Sequence, residues 1–243
     1  MPKVRKIMIP GSNHTDKYYE PLQAELAARG EDDWQAITTP DHIHTLEEMA
    51  KYLEQTYPGP KLLICHSLGG PIAAHWDMLG QVYGIFAISP VADTLKGALY
   101  STKAVIDTLG WKVGSKLLSG TGGFPLGDPN LGRLFYADDT PAEEVSRRLS
   151  YLRPEPLRVT LQTKFLPARK HALTYQNAVV HYKQDRVVSL DWAKAYAKWL
   201  RVEVQEIDGP HNAFEDEAGA RLTANYIMPW VRRTPPYLLD GIR

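Results

Sequence analysis

The sequence predicts an α/β fold: a mostly parallel, doubly wound sheet of about six strands, into which a helical cap is inserted. Three observations lead to this prediction. Short runs of β-branched and apolar residues alternate with amphipathic helical patterns along most of the chain. The segments between these runs are long enough for the crossover connections that parallel strands need. The alternation then stops for about eighty residues without a strand-like run.

Six runs have the composition of strands and are bounded by turn residues. They are VRKIMI at 4–9, WQAIT at 34–38, KLLIC at 61–65, GIFAIS at 84–89, NAVVHY at 177–182 and VEVQEI at 202–207. The run KLLIC is almost entirely apolar, as expected for a central strand that is buried on both faces. Sheets of this kind bind ligands at the carboxyl ends of their strands, so a site is expected in the loops that follow these runs.

Helix signals lie between the strands and in the strand-free segment. Thr45 precedes an apolar pattern and has a glutamate three residues later, which predicts a capping box. Ser189 stands before a second pattern and is expected to cap that helix. In the strand-free segment, Thr140, Pro141 and Glu143 predict an N-cap, a first-turn proline and another capping box.

Residues 91–172 are predicted to form the cap, and 1–90 with 173–243 the α/β core. A glycine-rich stretch at 120–132 lacks the strand-to-helix setting of a phosphate-binding loop, so it is predicted to be a flexible part of the cap. The cap also contains aromatic side chains that either line an apolar pocket or pack the cap itself. These are Tyr100, Trp111, Phe124, Phe135, Tyr136 and Phe165.

Composition limits the class of partner. The chain has 243 residues, and its 28 Lys and Arg balance its 28 Asp and Glu, so it is not expected to bind nucleic acid or a membrane surface. The single cysteine, Cys65, cannot form an internal disulfide, and no stretch resembles a signal peptide or a membrane span. We expect a cytoplasmic protein that acts on a small molecule without a cofactor or a metal. The composition leaves the oligomeric state open.

The stretch LLICHSLGG at 62–70 places Ser67 on the turn between a predicted strand and a predicted helix. Such a turn lifts the hydroxyl above the sheet and directs the next backbone N–H toward the helix N-terminus. The turn needs small neighbours, which here are Cys65, Gly69 and Gly70. Cys65 lies on the strand, where a cysteine is usually a buried small hydrophobe. Ser67 is therefore the expected nucleophile.

Two residues further along the chain supply the chemistry that a serine nucleophile needs. Asp185 follows the NAVVHY strand, and His211 follows the VEVQEI strand. A serine hydroxyl needs a base within hydrogen-bond reach, and the base needs an orienting carboxylate. The order serine, acid, histidine is one known solution to this problem. Asp93, just after GIFAIS, is the alternative acid, whereas Asp208 is too close to His211 in the chain to orient it.

With these residues in place, the sequence resembles the α/β-hydrolase superfamily, whose serine turn is usually G-x-S-x-G and often reads GHSLGG. The resemblance covers the whole chain: PGSNHTDKYYEPL is similar to the family's first glycine-containing loop and helix, and GPH to its histidine loop. It implies that Ser67, Asp185 and His211 form a catalytic triad. It also implies an oxyanion hole made by the backbone N–H groups of Leu68 and Ser12, or of Asn13 if the loop register differs.

The sequence departs from the family pattern at three places. Cys65 replaces the first glycine of the serine turn, and Pro10 stands where a histidine often precedes a glycine. The first strand also begins too early to leave room for the antiparallel strands that many members carry. None of these departures removes a predicted catalytic residue, so the resemblance implies a shortened version of the fold.

Other polar residues are expected near the pocket. Asn13, His14 and His66 are candidates for its wall, with His66 packing or hydrogen-bonding behind the serine turn. The loop DHIH at 41–44 has metal-like side chains but lacks the three or four ligands of a zinc site, so it is expected to line the pocket. His181 lies within a strand and is expected to be structural.

These residues predict a serine hydrolase of the carboxylesterase type, which cleaves an ester of a small, apolar substrate through an acyl-enzyme. The resemblance also admits the same triad in thioester, amide or C–C bond hydrolysis, and in lyase or perhydrolase chemistry. A non-catalytic protein that binds a ligand in the same pocket is a third hypothesis. Labelling with a fluorophosphonate separates this third hypothesis from the others.

Overall fold

The computed structural model describes residues 3–119, 125–154, 165–168, 172 and 174–235. These residues form one six-stranded sheet in the order β2-β1-β3-β4-β5-β6, with every strand parallel to its neighbours. The strands are β1 (Arg5–Ile9), β2 (Trp34–Ala36), β3 (Lys61–His66), β4 (Val82–Ile88), β5 (Gln176–Tyr182) and β6 (Val204–Ile207). All six predicted strands are present, so the predicted fold class is confirmed.

The strand register aligns the carboxyl ends of five strands at one edge of the sheet. The residues paired at this edge are Ile9 with Cys65, His66 with Ile88, Ile88 with Val180 and Tyr182 with Ile207. The loops that follow these strands therefore emerge side by side. Residues far apart in the sequence can meet there, as expected for the ligand site of a parallel sheet.

The described residues also form helices between and after the strands. They are α1 (Glu20–Ala28), α2 (Leu46–Thr56), α3 (Gly69–Asp77), α4 (Leu95–Leu109), α5 (Trp111–Ser119), α6 (Gly132–Phe135), α7 (Ala142–Leu149), α8 (Leu190–Leu200) and α9 (Glu217–Val231). Short 3₁₀ turns lie at Asp16–Tyr19, Pro129–Leu131 and Ala213–Glu215. None of the described helices is both long enough and apolar enough to cross a bilayer.

Alternate residues of β3 face two hydrophobic layers. Leu63 and Cys65 pack with side chains from α2, α3 and α8, whereas Leu62 and Ile64 pack with side chains from α1 and α9. Successive side chains of a strand point to opposite faces of the sheet. Helices therefore cover both faces, which is the doubly wound arrangement, and this explains why β3 is apolar along its length.

Most helix starts agree with the capping signals, and one does not. Thr45 caps α2 and Ser189 caps α8, each by accepting a hydrogen bond from the backbone N–H three residues later, at 3.1 and 3.3 Å. The prediction that Thr140 caps α7 is wrong. Pro141 is the N-cap, with an extended ψ of 136°, so the helix begins one residue later at Ala142. The proline lies just before the first turn rather than within it.

Within residues 91–172, the described residues form α4 to α7 and the turn Pro129–Leu131, and none of them is in a strand. They have a hydrophobic cluster of their own, formed by Val105, Leu131, Leu134, Phe135 and Tyr136. A Cβ at Gly132 would lie 2.3 Å from Val145 Cγ1, so α6 and α7 approach closely there. The division into core and cap stays a prediction. The beginning of the glycine-rich stretch, with Phe124, lies outside the described residues.

Candidate active site

Ser67 lies on the tight turn between β3 and α3. Its φ of 52° is in the left-handed region, where a side chain is strained unless its surroundings hold it. The N–H of Ser67 donates to the carbonyl of Ile88 at 3.0 Å. The carbonyl of Ser67 accepts from the N–H groups of Gly70 at 3.0 Å and Val91 at 3.2 Å. The end of β4 and the start of α3 thus hold the serine in this conformation.

The two glycines after the serine are required by close contacts. A Cβ at Gly69 would lie 2.4 Å from the carbonyl oxygen of Ile9, which is backbone and cannot move aside. A Cβ at Gly70 would lie 2.8 Å from the Cβ of Pro90. These contacts seat α3 against the loops after β1 and β4. The small residues after Ser67 therefore allow the helix to begin directly under these loops.

Cys65 occupies the position of the family's first glycine without disturbing the turn. Its side chain is fully buried, and its Sγ lies 3.7 Å from the carbonyl oxygen of Phe86 on β4. Burial raises the pKa of the Cys65 thiol well above its ordinary value. The side chain is therefore a neutral thiol, which is a weak nucleophile. This agrees with a structural role for Cys65.

Asp185 and His211 are joined by a hydrogen bond of 2.7 Å between the carboxylate Oδ2 and the imidazole Nδ1. The other carboxylate oxygen, Oδ1, accepts from the N–H groups of Val187 at 2.8 Å and Val188 at 2.7 Å. Burial by itself would raise the pKa of Asp185, but His211 and the N–H of Val188 hold it below its ordinary value. The carboxylate is therefore ionised, and the imidazole turns its Nε2 away from it.

The other two carboxylates considered from the sequence are used elsewhere. Asp93 accepts hydrogen bonds from two backbone N–H groups, the closer of which is that of Phe165 at 2.5 Å. Asp208 forms an exposed ion pair of 3.0 Å with a lysine on the loop after β5. Of the three candidate carboxylates, Asp185 is the one that is hydrogen-bonded to His211.

His211 also lies beside the serine turn. Its backbone carbonyl accepts a hydrogen bond of 3.1 Å from Nε2 of His66, and the two imidazole centroids are 4.4 Å apart. The predicted base is thus next to the residue that precedes Ser67. Among the hydrogen bonds of the described residues, none joins Ser67 Oγ to His211, so that contact stays a prediction. Catalytic hydrogen bonds are often long before substrate binds.

The loop after β1 passes directly over the serine. A Cβ at Gly11 would lie 3.0 Å from the Cβ of Ser67, and the loop then turns at Asn13, where φ is 66°. Within the part of the chain that the structure describes, the N–H groups of Leu68 and Ser12 donate no hydrogen bond to another group. The assignment of these two groups as oxyanion donors stays a prediction.

Arg153 ties this loop to the DHIH stretch. Arg153 and Asn13 exchange two hydrogen bonds of 2.9 Å, one from the N–H of Arg153 and one from the side-chain amide of Asn13. The guanidinium of Arg153 bonds the carboxylate of Asp41 and, at 2.8 Å, the hydroxyl of Thr39. No group of three or more His, Cys, Asp or Glu side chains among the described residues is arranged to hold a metal. The DHIH stretch contributes an ion pair that anchors the loop.

A set of buried polar side chains, which we call the polar cluster, lies beneath the predicted site. Its members are His14, Tyr18, His66, Tyr136, Asn212 and Glu215. Sequence analysis identified His14 and His66 as candidates for the pocket wall, and Tyr136 only as one of the aromatic side chains of residues 91–172. The others carry no chemical signature in the sequence, and the one available signal was that Asn212 and Glu215 closely follow the predicted base.

Burial decides the charge of the polar cluster. It raises the pKa of Glu215 to about 8 and lowers the pKa of His14 to about 3. Both groups are therefore uncharged at neutral pH, although His14 Nε2 and Glu215 Oε1 are 3.7 Å apart. The hydroxyl of Tyr136 donates to Glu215 Oε2 at 2.8 Å. This bond ties the end of α6 to the histidine loop.

Among the described aromatic side chains of residues 91–172, two contact predicted catalytic residues. The ring of Phe135 stacks on that of His211 with centroids 5.9 Å apart, and the hydroxyl of Tyr100 donates to the carbonyl of Asp185 at 2.6 Å. Trp111 is exposed. A cavity of about 770 Å³ opens among α4, α6 and α7, but no predicted catalytic residue lines it. The segment predicted to form the cap therefore contacts the predicted site through Phe135 and Tyr100.

The site thus combines a strained serine turn with an aspartate–histidine pair on the loops after β5 and β6. The sequence model described as the alpha/beta hydrolase family matches residues 7–224. The chain belongs to this family. The match runs from β1 into α9, so the α/β-hydrolase resemblance seen in the sequence is confirmed. No curated protein matches this α/β-hydrolase in sequence.

Solved structures agree about the fold. An esterase from Thermogutta terrifontis is 15% identical with a TM-score of 0.63, over 95% of this chain and 90% of that chain. An enol-lactonase from Burkholderia xenovorans LB400 is 9% identical with a TM-score of 0.67, over 96% and 93%. An extracellular α/β-hydrolase from a Paenibacillus species is 15% identical with a TM-score of 0.64, over 92% and 98%. At such identities the likeness establishes the fold alone.

Proposed function

We propose that this α/β-hydrolase is a serine hydrolase that cleaves a carboxylic ester of a small, apolar substrate. The observation that carries the proposal is the hydrogen bond of 2.7 Å between Asp185 and His211, on the loops beside the strained turn that holds Ser67. An ionised carboxylate on Nδ1 leaves Nε2 free to accept a proton. Two structures with the same fold are named as an esterase and an enol-lactonase, which agrees with ester cleavage.

In the proposed reaction, His211 Nε2 takes the proton of Ser67 Oγ as the oxygen attacks the acyl carbonyl. Asp185 stabilises the imidazolium that forms. The imidazolium then protonates the departing alcohol, which leaves an acyl-enzyme on Ser67. Water attacks this ester with His211 again as the base, and release of the acid restores the serine.

The oxyanion of each tetrahedral intermediate is proposed to bind between the N–H groups of Leu68 and Ser12. Both groups are free of partners within the described chain, and the loop that carries Ser12 lies against Ser67. Asn13 is the alternative donor in this loop. Losing one donor of this kind costs roughly 100- to 1000-fold in rate, so the conformation of this loop should matter for turnover.

The surroundings of the base support an apolar substrate. The buried ring of Phe135 stacks on His211 and makes one side of the predicted base apolar. The chain has equal numbers of basic and acidic residues, so no long-range field selects a charged substrate. An acyl or alcohol group that packs against an aromatic ring fits these surroundings best.

A fluorophosphonate probe and short p-nitrophenyl esters test the proposal. The wild-type protein should acquire one phosphonate on Ser67 and hydrolyse the esters, and Ser67→Ala should lose both properties. Ser89→Ala is the matched control, because Ser89 is also buried and also has a positive φ, 41°, at the end of a strand. Ser67→Ala that still hydrolyses the esters would overturn the proposal. A folded wild type that takes no label would point to ligand binding without catalysis.

A substrate panel then separates the reactions that share this triad. Wild type and Ser67→Ala are compared on matched esters, thioesters, amides, cyanohydrins and C–C substrates. The proposal expects the largest Ser67-dependent kcat/KM for an ester. A larger value for another class would keep the nucleophile and replace the proposed reaction.

A further inference from the structure

Two hydrogen bonds of the polar cluster end on backbone carbonyls of the predicted catalytic loops. His66 Nε2 donates to the carbonyl of His211 at 3.1 Å, and His14 Nδ1 donates to the carbonyl of Ser12 at 2.6 Å. A carbonyl oxygen only accepts, so each contact determines which ring nitrogen carries the proton. One histidine thus holds the loop of the predicted base, and the other holds the loop of the predicted oxyanion donors.

The remaining ring nitrogens of these histidines face two neighbouring side chains. Burial lowers the pKa of both His66 and His14, so each ring is neutral and its second nitrogen accepts a hydrogen bond. Tyr18 has one hydroxyl proton, and its oxygen is 2.6 Å from His66 Nδ1 and 3.1 Å from Asn212 Oδ1, so it donates to one of these two acceptors at a time. The amide of Asn212 is 3.1 Å from His14 Nε2. A chain of polar contacts therefore runs from the loop after β1 to the histidine loop.

We propose that Tyr18 and Asn212 are positioning residues that couple the oxyanion loop to the predicted base. The inference rests on the proposed function, because it needs both loops to act in catalysis. Tyr18, Asn212 and the two histidines are all buried. A buried polar group that loses its partner costs about 1–3 kcal/mol, so the members of this chain hold one another in place.

The two ends of the chain of contacts act in the same chemical step. The base must reach the serine hydroxyl while the N–H groups meet the oxyanion. A misplacement of about 1 Å at such a site costs on the order of 100-fold in rate. Tyr18 and Asn212 are themselves buried beneath the predicted site. Their loss is therefore expected to lower kcat and to leave KM nearly unchanged.

Tyr18→Phe is the sharpest test, because it removes one oxygen and keeps the ring that packs 4.7 Å from that of Phe214. Tyr182→Phe is the matched control: Tyr182 is equally buried, and its hydroxyl lies 2.6 Å from Thr223 on α9. We expect kcat for p-nitrophenyl acetate to fall roughly 10- to 100-fold in Tyr18→Phe, with KM within about twofold. Tyr182→Phe should keep kcat while losing a similar amount of thermal stability.

Asn212→Ala provides the second variant, and it should show the same fall in kcat at nearly constant KM. In both variants the fluorophosphonate should still label Ser67, but more slowly than in wild type. If Tyr18→Phe and Asn212→Ala keep the kcat of Tyr182→Phe, the inference is wrong and the proposed function stands. A folded wild type that neither takes the label nor hydrolyses esters overturns the proposed function itself, so the two failures are distinguishable.

Discussion

Asp185→Asn tests the proposed acid by changing one group in a fixed geometry. Oδ1 of Asp185 accepts from the N–H groups of Val187 and Val188 at 2.8 and 2.7 Å. In the variant, the amide oxygen must stay on this side, because an NH₂ group there would face two donors. The NH₂ group therefore faces Nδ1 of His211. It donates to that nitrogen and leaves the ring proton on Nε2.

The expected loss follows from this change of tautomer. With the ring proton on Nε2, the nitrogen that is proposed to face Ser67 has no free lone pair. His211 can accept the proton of Ser67 only if the ring gives up its hydrogen bond to the variant's amide, which holds its orientation. The same change in a well-studied serine protease triad costs on the order of 10⁴-fold in kcat. At about 1.4 kcal/mol per tenfold, this is roughly 5.5 kcal/mol of barrier. We expect an effect of this size on ester turnover.

The assay is the kcat and KM of the variant for p-nitrophenyl acetate, with the thermal midpoint measured to show that it folds. Asp93→Asn is the matched control, because Asp93 also accepts from two backbone N–H groups, those of Phe165 and Leu166, but does not contact His211. As an exposed residue, it should leave kcat within about twofold. If Asp185→Asn retains kcat within about tenfold of wild type, or if Asp93→Asn loses more, the assignment of Asp185 as the acid is refuted.

Three further predictions follow from buried contacts. Cys65→Ala should keep ester turnover, because the thiol is buried and protonated; a folded variant without activity would give Cys65 a part in the chemistry. Gly69→Ala should lose about 3 kcal/mol of stability or more, because its Cβ would lie 2.4 Å from the carbonyl of Ile9. Gly127→Ala, whose Cβ meets nothing within 4 Å, is its control, and equal thermal midpoints would contradict the turn geometry. Burial raises the pKa of Glu215 from 4.5 to about 8, so the stability from its protonated form is complete below pH 4.5 and is lost as pH rises through 8. The slope is at most about 1.4 kcal/mol per pH unit, and Glu215→Gln removes it. The thermal midpoint of Glu215→Gln relative to wild type should therefore rise from about pH 5 to pH 8, whereas parallel curves would show that Glu215 is ionised in the fold.

The strands were the most predictable part of this fold. Their β-branched runs are short, and KLLIC is apolar because β3 is covered on both faces. The caps at Thr45 and Ser189 were also predictable, since a side chain and a backbone N–H three residues apart interact locally. The start of α7 was not, because Pro141 is compatible with both the N-cap and the first turn. In the structure α7 starts at Ala142, one residue later than predicted, and it packs closely against α6 at Gly132.

The order of Ser67, Asp185 and His211 along the chain was enough to place them after different strands, and the parallel sheet brings their loops to one edge. Order in the chain did not choose between Asp185 and Asp93. In the structure the two differ because Asp185 is hydrogen-bonded to His211, whereas Asp93 accepts from the backbone N–H of Phe165. Both carboxylates follow strands, so only their three-dimensional surroundings differ.

The sequence by itself determined the strands, the fold class and the candidate nucleophile, because these depend on local periodicity and on turn chemistry. Only the tertiary structure decided which acid faces His211 and showed that Tyr18 and Asn212 link the serine turn to the loop after β1. Such contacts join side chains that are up to 198 residues apart in the chain. Burial then sets their protonation, as in Glu215, whose carboxyl is neutral only because the folded chain removes it from water.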